Sequence, residues 1–174
     1  MSAPALFDDV EKAAVISECG TYRYTLERRW GDGPAVLFVM LNPSTADAEQ
    51  DDPTIRRCIG FARSWGYDAL LVGNLHAFRS TSPLDLAFAG DPVGPRNGEA
   101  LAGLRDRAAR VVVAWGASRY AHAVRVNRAR AILGKELYAL GTTANGAPRH
   151  PLYMPASAVP IPWSPSCAGE GEQS

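Results

Sequence analysis

Residues 35–47 read AVLFVMLNPSTAD: seven apolar residues, Ala35 to Leu41, then Asn42-Pro43-Ser44-Thr45, Ala46 and Asp47. An unbroken apolar run of this length fits a strand covered on both faces, as in a parallel sheet between helices. Pro43 has no N–H for a ladder and turns Asn42 away from helical backbone, so the strand ends near Leu41. Asn42, Ser44, Thr45 and Asp47 then stand at a strand's carboxyl end, where open α/β sheets place their sites.

Working outward, residues 21–30 (TYRYTLERRW) alternate. Tyr22, Tyr24, Leu26 and Trp30 share one face and Arg23, Thr25, Glu27 and Arg29 the other, with Arg28 the one break, which is the period of a half-exposed strand. The turn Gly31-Asp32-Gly33-Pro34 makes it either antiparallel to the central strand or part of an edge hairpin. Residues 1–14 read as a disordered start or a short helix. Downstream, Asp52 caps and Pro53 opens a helix whose Ile55, Cys58, Ile59, Ala62 and Trp65 form one apolar face, with Gly66 at its end. The run 69–73 (ALLVG) completes a βαβ unit and delivers Asn74, His76, Phe78 and Arg79 at a second carboxyl end. Asn97 is expected to cap the next helix. VVVAW (111–115) is a third buried strand ending at Trp115-Gly116. A basic helix over roughly 117–133 and a fourth strand, ELYAL (136–140), follow, then the loop Asn145-Gly146-Ala147-Pro148-Arg149-His150-Pro151. The predicted fold is a three-layer α/β/α domain over residues 1–163, with a mostly parallel four-stranded sheet and an extra N-terminal antiparallel strand or hairpin. Residues 164–174 read as a disordered tail.

With 47% apolar and 21% charged residues the chain reads as one globular domain, and no apolar run approaches a membrane span. Three separated cysteines, 19, 58 and 167, fit neither a disulfide framework nor a zinc site and suit a reducing cytoplasm. No metal or cofactor is expected, and no membrane partner. Gly-x-Gly-x-x-Gly, P-loop and Gly-x-Ser-x-Gly signatures are absent. Net charge is zero, yet residues 101–135 carry eight basic side chains against Asp106 alone. That stretch is either a solvated helix face or a surface for an anionic partner.

The ordered motifs LNPSTAD, DDPTIRRC, NLHAFRST, PRN, AWG and GAPRHPLYMP resemble a bacterial domain-of-unknown-function family, number 1643, over roughly residues 15–163. More distantly, the order of parts is similar to the uracil-DNA glycosylase superfamily. Met40-Leu41-Asn42-Pro43-Ser44 stands where its mismatch-specific branch has Gly-Ile-Asn-Pro-Gly, and Arg149-His150-Pro151 where its last motif has His-Pro-Ser or Asn-Pro-Ser. That resemblance implies a four-stranded parallel sheet, a water held by Asn42, and contact of His150 with the base. Ser44 for the family's Gly and Leu152 for its Ser are departures.

An N-glycosylase needs a polar group to hold a water, a donor for the departing base and a slot for its ring. Asn42 or Asp47 fits the first role and His150 or Arg149 the second. Phe78 or Trp115 fits the third, with Asn74 to read the base edge and Pro43, Ser44, Thr45 and Arg79 as further contacts. Each has a structural alternative: an Asx-turn for Asn42, capping for Ser44, Thr45 and Asp47, core packing for Trp115, an ion pair for Arg79. The partner implied is a nucleic acid or a nucleoside or nucleotide. The alternative function is a non-catalytic module binding a base, a nucleotide or a small anion.

Overall fold

The computed structural model describes residues 10–165. Seven strands and three helices follow in the order β1 Glu11–Ile16, β2 Arg23–Arg29, β3 Ala35–Met40, α1 Pro53–Ser64, β4 Ala69–Asn74, α2 Asn97–Arg107, β5 Arg110–Val113, α3 Ala123–Leu133, β6 Leu137–Ala139 and β7 Ile161–Trp163. Short 3-10 segments occupy Pro83–Ala87 and Pro151–Tyr153.

All seven strands form one mixed sheet, in the order β1-β2-β4-β3-β5-β6-β7. The expected four-stranded sheet with an extra N-terminal antiparallel strand or hairpin is therefore corrected to one mixed sheet of seven strands. β4, β3, β5 and β6 run parallel in its middle, and antiparallel strands close both edges. Residues 11–14, read as part of a loose start or a helix, belong to β1. Its largely exposed side chains gave no alternating apolar pattern. β7 carries no strand signal in the sequence: it is three residues long and contains Pro162, a residue tolerated only on an edge. β2 forms the edge hairpin with β1, and its other neighbour is β4 rather than β3. Residues 1–9 and most of the anticipated tail lie outside the described residues.

The parallel order places β4 on one side of β3 and β5 on the other, so the chain reverses its direction of travel after β4. Right-handed crossovers in opposite directions put their helices on opposite faces. Accordingly α1 packs Ile55, Cys58, Phe61 and Ala62 against Val36, Phe38, Leu70 and Val72. On the other face α2 and α3 bring Leu101, Leu104, Val126 and Leu133 against Leu37, Val39, Leu71 and Val113. The apolar run 35–41 thus feeds two cores by parity, which is why it shows no alternation.

Asp52 caps α1 as expected, its carboxylate accepting from the Ile55 N–H at 2.8 Å, and Gly66 follows with φ +82. Asn97 does not cap α2. It is the first helical residue, and its Nδ2 ties the helix to β4 by donating to the carbonyls of Asn74 (2.9 Å) and Leu75 (3.2 Å). α3 starts at Ala123 rather than 117, with His122 as its cap, because Gly116 (φ +75) and a turn over Ser118–Ala121 interrupt the backbone.

The loop before α2 leans on β2 through Gly94. Its φ is +86, and an added Cβ would lie 3.0–3.2 Å from the Tyr22 and Tyr24 rings. Gly94→Ala is expected to destabilise the domain by about 1–3 kcal/mol, through backbone strain and crowding together. A thermal melt within 1 °C of wild type would show that the loop yields freely.

Candidate functional site

The chain's reversal between β4 and β5 leaves a crevice at the carboxyl ends of β3 and β5, the place where open α/β sheets bind ligands. A cleft of about 450 Å³ lies there, within the size range of small-molecule sites. It is lined from the end of β3 by Asn42, Pro43 and Ser44, and from the end of β4 by Asn74. Trp115 to Ser118 follow β5, and His150 comes from the loop after β6. Asp52 and Thr54 at the start of α1, Arg23 of β2, and Ser80 and Thr81 after β4 add further polar groups to the lining.

Asn42 is fixed by its own amide. Nδ2 donates to the carbonyls of Ser80 (3.0 Å) and Pro43 (3.2 Å), which orients the group and uses both hydrogens. Oδ1 remains an acceptor with no protein partner among the described residues. Asn74 is 2% exposed, and neither Oδ1 nor Nδ2 meets a protein partner. A buried polar atom left unpaired costs about 1–3 kcal/mol, so the amide is suited to a ligand offering both a donor and an acceptor.

His150 reaches the cleft because the Gly116 N–H bonds the Pro148 carbonyl at 2.8 Å, joining the end of β5 to the last loop. Its Nδ1 accepts from the Leu152 N–H at 3.2 Å, so the neutral ring carries its hydrogen on Nε2. Burial pulls its pKa below 6.5, opposed weakly by Asp52. His150 is therefore a neutral donor at pH 7. Protonation takes Nδ1 from Leu152, and the unfolded chain accepts that proton first. The stability from neutral His150 is whole above about pH 6.5 and is lost as pH falls through the folded value. Buried His76, whose pKa is lowered chiefly by burial, acts in the same direction. Melting temperature is expected to drop as pH falls below 6.5. An NMR titration with His150 protonating above 6.5 would contradict this assignment.

Of the residues anticipated from sequence, Asn42, Pro43, Ser44, Asn74, Trp115 and His150 line this cleft, whereas Thr45, Asp47, Phe78, Arg79 and Arg149 do not. Asp47 turns its carboxylate onto the N–H groups of Glu49 and Gln50, both at 2.8 Å, and those bonds lower its pKa. Thr45 is exposed. Phe78 packs edge-on to Tyr22 at 6.4 Å, and Arg79 reaches the Gly20 carbonyl at 3.4 Å. Arg149 is exposed and donates to the Thr142 carbonyl at 3.1 Å. Trp115 is both wall and core, since it meets Trp163 edge-on at 5.3 Å.

The cleft also contains residues not anticipated as ligand contacts. Tyr153 is 80% exposed at the mouth and sits edge-on to His150 at 6.0 Å. Arg23, assigned by alternation to a solvent face, is 2% exposed. The available signal was Arg28, a charge at an apolar-face position of β2; Arg23, on the polar face of the alternation, carried none. Among the described residues no three His, Cys, Asp or Glu side chains converge as a metal site, and no helix is long and apolar enough to cross a membrane.

Fold and site together define an α/β/α domain with a polar cleft at the carboxyl edge of a parallel block. The family model described as "Protein of unknown function (DUF1643)" matches residues 23–152, three quarters of the sequence, and the chain belongs to that family. Neither curated proteins nor solved structures gave a match to it.

Proposed function

We propose that the cleft receives a nucleobase and that the protein hydrolyses an N-glycosidic bond, as the distant resemblance to uracil-DNA glycosylases implies. The observation that carries this reading is the Asn74 amide, buried with donor and acceptor both unmatched, in one cleft with the neutral donor His150. A pyrimidine or purine edge offers the N–H and C=O that such an amide pairs with. Asn42 Oδ1 holds a water toward the sugar carbon. The C–N bond breaks, its electrons pass to the base, and His150 Nε2–H donates to the base oxygen where charge develops. Water supplies hydroxide to the sugar, and its proton ends on the base. Trp115 and Tyr153 flank the ring.

The test is a panel of oligonucleotides bearing uracil, mismatched and modified bases, together with free nucleosides. Free base is expected from at least one of them. Asn74→Ala is expected to weaken its binding about tenfold or more, the value of one well-made hydrogen bond to a buried partner. No product from any substrate, with Asn74→Ala equal to wild type in binding, would remove the reading. A non-catalytic binding module is the second reading, favoured by the single Arg23 set against Asp52 in the lining and by the zero net charge. Tight, specific base binding without turnover would select it.

A further inference from the structure

Arg23 enters the cleft in a condition that the proposed base chemistry does not use. Its Nη1 donates to the Ala46 carbonyl at 2.9 Å, its Nε has no partner, and no carboxylate lies within 4.0 Å of it among the described residues. A guanidinium has five N–H donors, and a buried one without a counterion is costly. Burial lowers its pKa to about 10, with Arg79 and Arg28 lowering it further and Asp52 and Asp47 raising it, so it stays a cation at neutral pH.

What surrounds it suits an oxyanion. α1, twelve residues long, begins at the cleft, with Thr54 and Ile55 in the lining. Pro53 has no N–H and Asp52 takes that of Ile55, which leaves the Thr54 N–H at the positive end of the helix. The hydroxyls of Ser44 and Thr54 have no protein partner among the described residues and line the same cleft. The carboxylate present, Asp52, is engaged in the cap through Oδ1. Arginine's planar fork matches a phosphate better than any other side chain does.

We infer that Arg23, with Ser44 and the Thr54 end of α1, forms a phosphate subsite, so that the substrate of the proposed base pocket is a nucleotide or a phosphodiester strand rather than a free base or nucleoside. This rests on the base-binding reading and extends it. The same subsite would accept a terminal phosphate or a backbone diester.

The experiment is calorimetric titration of the full chain with four probes: inorganic phosphate, the common nucleosides, their 5′-monophosphates, and a short single-stranded oligonucleotide. Wild type is expected to bind a monophosphate or the oligonucleotide at least tenfold tighter than the matching nucleoside, with the advantage shrinking as salt rises. Arg23→Met removes the charge at similar length, and is expected to abolish that advantage, read as the ratio of monophosphate to nucleoside affinity within each protein. Equal affinity of wild type for nucleoside and phosphorylated forms at low salt overturns the subsite, and needs no variant. Arg23→Met retaining the wild-type preference overturns it too. Phosphate binding lost in Arg23→Met, with no nucleoside bound by either protein, upholds the subsite and defeats the base reading. If Arg23→Met fails to fold, Arg23→Lys replaces it. That variant keeps the charge without the fork and is expected to retain part of the preference.

Discussion

Under the function proposed above, Asn42→Ala is expected to lower turnover of a glycosidic substrate by roughly 10²-fold or more, with KM nearly unchanged. The split follows from geometry. Both hydrogens of Nδ2 are held by the Ser80 and Pro43 carbonyls, so the group meets solvent or substrate only through Oδ1. An acceptor fixed in this way orients a water without gripping the base, and losing that orientation costs about 10²-fold. Stability should fall by only about 1–2 kcal/mol, since the two bonds lost are half-buried and their carbonyls can find water. A variant with wild-type kcat, on any substrate the protein turns over, would take the water-holding role from Asn42.

Arg28→Ala is expected to cost about 3–5 kcal/mol, because it deletes a large, fully buried side chain and leaves the Glu27, Asp47 and Gln50 carbonyls without their donor. For a domain of this size that is a fall in melting temperature of roughly 6–20 °C. The side chain is fully buried. Its Nε meets Asp51 at 2.7 Å, Nη1 the Glu27 carbonyl at 2.9 Å, and Nη2 the carbonyls of Asp47 at 2.5 Å and Gln50 at 3.3 Å. One guanidinium therefore pins the whole loop between β3 and α1, which also carries Asn42, Ser44 and Asp52. Arg28→Lys should recover less than half of the loss, because an ammonium cannot span acceptors on three sides. Activity should fall along with stability in both variants, and a melt of Arg28→Ala matching wild type would show the loop to be held by other contacts.

How far the sequence could be read depends on whether a feature is local. The ends of β3 and α1 were legible because Asn42-Pro43 and Asp52-Pro53 act on their own backbone: proline stops one ladder and opens one helix, and Asp52 bonds an N–H three residues on. Six of the eleven anticipated contact residues line one cleft, because parallel strands aim their carboxyl ends the same way. The five that do not were chosen for nearness in sequence to those ends. Phe78, Arg79 and Arg149 lie several residues past their strands, where packing on the β1–β2 turn or on the Thr142 carbonyl directs the side chain.

The amino-acid sequence by itself determined the alternation of strands and helices, the double-faced burial of residues 35–41 and the polar character of each strand's end, since period, caps and proline act within a few residues. Only the tertiary structure decided that β2 lies beside β4, that short strands close both edges of the sheet, and that two arginines of β2 lie beneath the loops. The reason is that a side chain's dielectric surroundings and partners are set by whichever distant segment covers it. Arg23 reads as an ordinary exposed residue until the loop carrying Ala46 folds over it and makes it the buried cation of the cleft.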